Sequence, residues 1–595
     1  MLKEGVVAFK KKLDYYGDRF VIDSYTLKDG TYRLIYMTDD DWRMENPVDI
    51  HYDRKNKIMV GETDKDFYFI KRLDYYSKLI EMNKPIDPKK QIHTCNYLSL
   101  ACKKDKIAQG AITPSIISNF YAVLRDPMAK YAKKKQSREL YEMTEKRVGP
   151  VNIELLDQIE AFVLTHDIWE GMDLTQKNYA KVFFVFEDED QTIALYQQEA
   201  NRYLLPNVFN KNDYNEYMGE SIYGLPGDNL ALNSKKPYLE HRTKKASVPH
   251  LISQSEAILQ RQFFDYLQGE AAKHKFNVIV ENDDISTYAD ADFPSDIEPG
   301  ATFYRTRIGG KGELIIIREL KVNEKRRRLD PYICIEDYLG LPLKAKEPFP
   351  YDRNIEDIWE LFNHIDQILY NRGLKSNLFS DAKDIKMSEL GLKKEILRTR
   401  DMWVSWIYGG SVSGFASMFN RTGLRLISSS LTQGKLFIAK HQFNLWISIL
   451  EYLKGKKAGG TKQMLTEIRN RLWENINLDG YTDWQIVSDE EYAYAVGQLV
   501  SYFLTLSRAN DKNCSVINAF VDASDSQTIN ARLIRLYRKY SYAVSKVTSK
   551  ANRVGELLSH VLDYSTNQIS KEYLIAGFMS AALIYKKTDE EENEG

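Results

Sequence analysis

Residues 314–321, LIIIRELK, end a β-rich run with Glu319 and Lys321 two positions apart. An acid-x-Lys pair at a strand end suits a metal-dependent nuclease. Carboxylates hold a divalent cation, and the lysine helps activate water or stabilise the transition state. Asp292, Asp296 or Glu298, just upstream, would supply the second carboxylate. The same spacing also arises on any alternating strand edge that carries a Glu and a Lys. His93, Cys95 and Cys102 offer three zinc-type donors, but no CxxC pair and no evident fourth ligand accompany them. Buried free thiols and no bound metal are therefore expected. The chain contains no GxxxxGK[ST], GxSxG or HExxH motif. The expectation is a protein that is not an enzyme and needs no cofactor, with a Glu319/Lys321 nuclease as the alternative.

Positive charge is more informative. Residues 530–560 hold Arg532, Arg535, Arg538, Lys539, Lys546, Lys550 and Arg553 against the single acid Glu556. Leu533, Leu536, Tyr540, Val544, Val547, Ala551, Val554 and Leu558 recur at three and four, which predicts one helix with a buried apolar stripe. Arg532, Arg535, Lys539, Lys546, Lys550 and Arg553 follow a similar spacing and form a second stripe, offset toward solvent. A row of cations about one turn apart suits a polyanion backbone, where each neutralised phosphate releases counterions. An ordinary solvated face interleaves acids with bases four residues apart, and this one does not.

Three further clusters segregate positive charge: Lys130, Lys133, Lys134, Lys135 and Arg138; Lys235, Lys236, Arg242, Lys244 and Lys245; and the run Lys325, Arg326, Arg327, Arg328. The second lies in YGLPGDNLALNSKKPYLEHRTKK. Gly224 and Gly227 there permit close backbone approach, Asn229 and Asn233 carry amides of the kind that read base edges, and Lys235 and Lys236 can hold phosphates. The competing reading is a Pro-Gly turn entering a strand.

The elements that position these residues change character along the chain. FVIDSYT, KDG and TYRLIYM read as a hairpin, IHYDRKNKIMVG repeats the theme, and the first 60 or so residues read as short strands. Phe67, Ile70, Leu73, Tyr76, Leu79 and Ile80 predict a helix to about Asn83, ended by Pro85 and Pro88. Residues 115–146 read as helical, KVFFVFEDED as a buried strand, and Glu281–Gly300, with seven acids and no Lys or Arg, as an exposed loop before a strand at 302–308. Strands and helices follow no repeating βαβ order. The predicted fold is an α+β N-terminal region, 1–387, with mixed or antiparallel sheets, followed by an all-α C-terminal helical bundle, 388–595.

Composition limits the rest. The 595 residues carry a net charge of −1, with 43% hydrophobic and 28% charged residues, which is globular composition. Near-neutrality argues against a uniformly basic coat and leaves local stripes open. Four cysteines in so long a chain suit a reducing compartment. The apolar run in MLKEGVVAFKKK is too short for a signal-peptide core, and Tyr573–Tyr585 falls short of the roughly 20 residues that span a bilayer. A cytoplasmic protein with no membrane partner is expected.

Residues 72–104, RLDYYSKLIEMNKPIDPKKQIHTCNYLSLACKK, are similar to the N-terminal signature of the large subunit of type I-B CRISPR Cascade complexes. The matching positions are Tyr75, Tyr76, Ser77, Asn83, Lys84, Lys89, Lys90, Ile92, His93, Asn96, Tyr97 and Leu98. A second block, LPGDNLALNSKKPYLEHRTKKASVPHLIS (225–253) followed by FFDYL, and a third, EYAYAVGQLVSYFL with ISKEYLIAGFMSAALIY, also resemble that family.

The resemblance implies a non-catalytic subunit for antiviral defence. Guide crRNA reads the target DNA, while the protein recognises a short flanking motif (the PAM), helps open the duplex and stabilise the R-loop, and a separate helicase-nuclease is recruited to cut. Its implied partners are crRNA, double-stranded target DNA, and the backbone, crRNA-capping and crRNA-processing subunits. A small subunit made from the C-terminal region is also implied, with Met387, Met402, Met418 and Met464 as candidate internal starts. On this reading residues 224–236, with Arg242, Lys244 and Lys245, are the PAM and duplex candidates, and the C-terminal stripe holds a DNA strand. Lys89, Lys90, Lys133, Lys134, Lys135, Arg326, Arg327 and Arg328 are candidates for crRNA, subunit or backbone contact.

Overall fold

The computed structural model describes residues 3–38, 41–53, 58–80, 84–209, 212–219, 221–225, 251–289, 297–298, 300–309, 314–322, 328–346, 349, 351–456, 459–477, 484–508, 514–544 and 548–586. The chain divides into two compact units, Met1–Ile297 with Ala301–Glu319, and Glu298–Gly300 with Leu320–Gly595.

The first unit contains α1 (Lys3–Tyr16), α2 (Arg19–Ser24), β1 (Gly30–Tyr36), β2 (Arg43–Met44), β3 (Val48–Asp53), β4 (Ile58–Val60), α3 (Phe67–Ser77), β5 (Ser99–Lys103), α4 (Lys104–Ala108), α5 (Pro114–Arg125), α6 (Pro127–Tyr131), α7 (Lys135–Val148), α8 (Ile153–Thr165), β6 (Tyr179–Val185) and α9 (Glu189–Leu204). There follow β7 (Glu216–Met218), β8 (Ser221–Gly224), β9 (Ile252–Ser253), α10 (Gln254–Ala272), β10 (Asn277–Glu281), β11 (Asp284–Tyr288), β12 (Thr302–Ile308) and β13 (Leu314–Lys321), whose last two residues fall in the second unit.

The first sheet runs β4-β3-β1-β6-β5, with β2 beside β1. Only β1 and β6 pair in parallel. Their apolar residues are buried on both faces, among them Leu34, Ile35, Val182 and Phe183, so the strands read as continuous hydrophobic runs. The second sheet runs β11-β10-β12-β13 and packs on Phe9 of α1, Val21 of α2 and Phe263 and Leu267 of α10.

Three local expectations change. FVIDSYT is not a strand: α2 forms there, with the Val21 and Ile22 N–H groups donating to the Asp18 carbonyl. Packing of Phe20 and Val21 into the second core overrides the β-propensity of the run. Helix α3 stops at Ser77, not near Asn83, because the Ser77 carbonyl accepts from the Cys95 N–H (2.9 Å) and the Thr94 hydroxyl (3.0 Å), which draws the next residues into a strand-like bridge. The acidic stretch is not all loop. Asn282 and Asp283, both at positive φ, turn β10 into β11.

The second unit holds β14 (Arg328–Cys334), α11 (Leu343–Lys346), β15 (Asn354–Asp357) and α12 (Ile358–Ile368), then α13 (Leu390–Gly409), α14 (Phe415–Thr432), α15 (Leu436–Leu453), α16 (Gly460–Asn475), α17 (Asp489–Thr505), α18 (Val516–Val521), α19 (Ser526–Tyr540), α20 (Thr548–Asp563) and α21 (Lys571–Met579). The fold class is as predicted: mixed and antiparallel sheets with helices in the N-terminal part, and a helical region from residue 390 on. Gly497 on α17 and Gly577 on α21 let these helices touch backbone to backbone, and Gln498 spans the join by donating to the Gly577 carbonyl (2.6 Å) and accepting from the Leu583 N–H (2.8 Å). No helix among the described residues is long and apolar enough to cross a membrane.

Helix α15 is buried on polar as well as apolar sides. Asn444 donates to Asp337 (3.2 Å) and to the Tyr351 hydroxyl (3.2 Å), so that hydroxyl donates onward to His441 Nδ1 at 2.7 Å. The His441 proton therefore sits on Nε2, which has no hydrogen-bond acceptor among the described residues. The ring lies instead against Phe437 and Phe349 at 4.5 and 4.0 Å. Burial drives the His441 pKa down to about 4, against an opposing pull from Asp337 and with a further push from Lys440. The unfolded chain thus takes up this proton first. Stability is full above about pH 6.5 and falls as pH drops toward 4, by on the order of 3 kcal/mol. Denaturant midpoints at pH 7 and 4.5 check this: His441→Gln should lose markedly less than wild type, and equal losses would refute the assignment.

Candidate nucleic-acid interface

Helix α19 begins at Asp525, whose carboxylate caps it by accepting from the Thr528 N–H (2.7 Å), and ends with Arg538 and Lys539 in its last turn. Acid at the start and base at the end both suit the helix dipole. Ile529, Leu533 and Tyr540 are buried, while Asn530 donates to the Leu562 carbonyl of α20 (3.0 Å) and accepts from the Tyr492 hydroxyl of α17 (3.2 Å). With that side fixed, Ile534, Arg535, Tyr537, Arg538 and Lys539 are left exposed. Beyond the helix, Tyr542 is 58% exposed and lies under the Arg508 guanidinium, 5.0 Å from its ring centroid. Among the described residues no acid pairs with Arg508, Arg535, Arg538 or Lys539. Tyr585 is also exposed, with the Lys550 ammonium 5.7 Å from its ring. The surface therefore combines unpaired cations with accessible aromatic rings.

The predicted stripe is not on one helix. Helix α19 ends at Tyr540, Ser541–Ala543 form a short 3-10 turn, and α20 begins at Thr548. Arg535 and Lys539 occupy the face expected of them. Arg532 is partly buried and donates to the Ala519 carbonyl of α18. Arg553 is overturned as a surface cation. It is 3% exposed, donates to Asn477 Oδ1 (2.7 Å) and to the Lys586 carbonyl (3.1 Å), and stacks on Trp473 at 4.9 Å. It holds the chain after α21 against α20, a structural task for a guanidinium. Lys546 lies outside the described residues.

The remaining basic clusters are less segregated than their sequences suggest. Lys134 pairs with Asp213 at 2.8 Å, Lys135 with Glu139 at 3.7 Å and Arg138 with Glu142 at 3.8 Å, and Lys133 is exposed. Lys130 donates to the Pro85 carbonyl (2.7 Å), and burial lowers its pKa to about 8. Arg328 is exposed near Glu356, at 3.5 Å, whereas Arg326 and Arg327 lie outside the described residues. Gly227, Asn229, Asn233, Lys235, Lys236, Arg242, Lys244 and Lys245 also lie outside them. Gly224 is described and is not an open approach for a ligand. It is buried in β8, and a side chain there would strike the Phe209 ring and Asn215.

The block 72–104 does structural work. Asp74 accepts from Lys181 (2.5 Å) and the Tyr25 hydroxyl (2.8 Å), Tyr76 donates to Asp18 (2.7 Å), and Lys78 pairs with Asp265 (3.0 Å). Asp87 accepts backbone N–H groups from Lys89, Gln91 and Ile92, at 2.8, 2.6 and 3.1 Å. This clasp leaves the Lys89 and Lys90 side chains exposed. Cys95 is buried and donates weakly to the Tyr76 carbonyl, with burial pushing its pKa up to about 12. The pKa of Cys102 is likewise raised and that of His93 is lowered, each chiefly by burial. No group of three or more His, Cys, Asp or Glu that could hold a metal forms among the described residues. Glu319 and Lys321 stand exposed on β13, and Asp292 and Asp296 lie outside the described residues.

Arg508, Tyr537, Tyr542 and Tyr585 escaped the sequence reading. Arg508 and Tyr585 are distant in sequence from the stripe, and only the packing of α17, α19 and α21 brings them to it. Tyr537 and Tyr542 lie inside the basic run and were legible as aromatics among cations. No known protein family, curated protein or solved structure matches the chain.

Proposed function

We propose that the chain is a non-catalytic, nucleic-acid-binding subunit of an RNA-guided surveillance complex, of the type I-B Cascade large-subunit kind. In this role it engages target DNA beside the PAM, helps open the duplex, stabilises the R-loop and recruits a helicase-nuclease. The observation that carries the nucleic-acid part is the α19 surface, where exposed cations without acid partners alternate with exposed tyrosines. Such a surface suits a single strand held by its phosphates. The resemblance of residues 72–104 and 225–253 to the family supplies the guided, multi-subunit part.

Affinity purification of the tagged chain from its host tests the whole reading. RNA of discrete length and several companion subunits should co-elute, and recovery of the chain free of RNA would overturn it. A second arm separates the nuclease alternative. Glu319→Ala should leave interference unchanged, and loss of a metal-dependent cleavage by the purified chain would favour the nuclease instead.

A further inference from the structure

We infer that the α19 surface takes unpaired nucleotides, whose bases stack on Tyr542 and Tyr537, in preference to an intact duplex. This rests on the nucleic-acid reading above and adds how the bases, and not only the phosphates, are held.

Phosphate recognition needs only cations, and Arg535, Arg538 and Lys539 supply them. It gives no reason for large rings to stand in water beside them. Tyr537 is 40% exposed, and among the described residues the ring against it is that of Phe503, edge-on with centroids 6.2 Å apart. Tyr542 is more exposed still, and the Arg508 guanidinium lies over its ring. No other ring lies against Tyr542 among the described residues, and the residue is 58% exposed. A guanidinium on a tyrosine ring is a prepared stacking platform: the cation fixes the ring and sits ready for an adjacent phosphate. In a duplex the base faces are already stacked on one another, and only a single strand can offer them to a side chain. The alternation along the chain, Arg535, Tyr537, Arg538, Lys539, Tyr542, matches a ligand in which charge and flat apolar faces also alternate. The same rings could serve a protein partner, but a row of cations with no acid among them selects a polyanion.

The test uses the full chain and three fluorescent ligands: oligo-dT, an abasic strand of the same length, and the corresponding duplex. Wild type should bind oligo-dT more tightly than either of the others. Tyr542→Ala should weaken oligo-dT binding about tenfold, leave the abasic strand unaffected and keep the salt slope. Tyr542→Trp should retain wild-type affinity, and Tyr537→Ala with Tyr542→Ala should bring oligo-dT down to the abasic level. Equal losses on oligo-dT and the abasic strand, or a loss with Trp as large as with Ala, would overturn the stacking assignment. If wild type holds oligo-dT and the abasic strand alike with a steep salt dependence, stacking falls and the polyanion reading stands. If it binds none of the three, both fall.

Discussion

Replacing Arg535, Arg538 and Lys539 together by glutamate should lower affinity for single-stranded DNA by roughly a hundredfold or more at moderate salt. It should also flatten the dependence of log K on log salt by about two units. The three side chains are exposed, and no acid engages them among the described residues, so each is available to one phosphate. Each lost contact removes about 0.7 from the slope on a single strand, and reversal adds repulsion to the loss. The fold should survive, because the side of α19 that packs is built from Ile529, Leu533 and Tyr540. The control is the same charge change at Lys133, Lys134 and Lys135. Two of these already pair with Asp213 and Glu139, so their reversal should cost far less. Binding isotherms at four salt concentrations decide the matter. Equal losses from the two triple variants would mean that overall charge, not this surface, governs binding.

The sequence made some of this surface legible and hid the rest for identifiable reasons. Periodicity correctly placed Leu533 and Tyr540 inside and Arg535 and Lys539 outside, because those positions depend only on one helix and its neighbours. It carries the helix on past Tyr540 because no Gly or Pro stands there. The weak helix propensity of the serines and β-branched residues was the only local warning. Arg553 fitted the stripe by spacing, yet its partners, Asn477 and the carbonyl of Lys586, come from other parts of the chain that periodicity does not address. The α2 helix was hidden for the same reason, its β-prone residues being held by a core assembled from α1 and α10. The signature block was legible as a block but not as a set of roles. Asp74, Asp87 and Lys78, within the block, are spent on internal hydrogen bonds and ion pairs, tasks that only the folded chain reveals.

A fragment beginning at residue 388 should fail to fold, whereas one beginning at residue 320 should unfold in a single cooperative transition. The sequence reading puts the boundary at 387/388, whereas the compact units divide at about 320 and group the β14–β15 pair and α12 with the helices. Tyr338 donates to Glu451 at 2.9 Å, Asp337 accepts from Asn444, Tyr351 donates to His441, and Gln442 donates to the Ile368 carbonyl at 3.1 Å. On α13, Trp403 donates to the Tyr370 hydroxyl at 3.0 Å, and its ring packs near Phe362. Cutting at 388 removes all of these partners at once. It takes from His441, Asn444 and Gln442 the partners named above, and from Trp403 its Tyr370 and Phe362 neighbours, and exposes the side of α15 that those segments cover. Water would hydrate the bared polar groups, so the cost lies in the apolar surface exposed with them, at about 25 cal/mol per Å², set against the roughly 5–15 kcal/mol by which whole domains are stable. Thermal melts followed by circular dichroism, with limited proteolysis, distinguish the two fragments. A cooperative melt from 388–595 alone would show that the α15 face can repack without its hairpin. The same argument constrains any product started at Met387 or later: its exposed α15 face would need a companion chain to cover it. Such a product should therefore be recovered bound to a partner and not as a free, folded monomer.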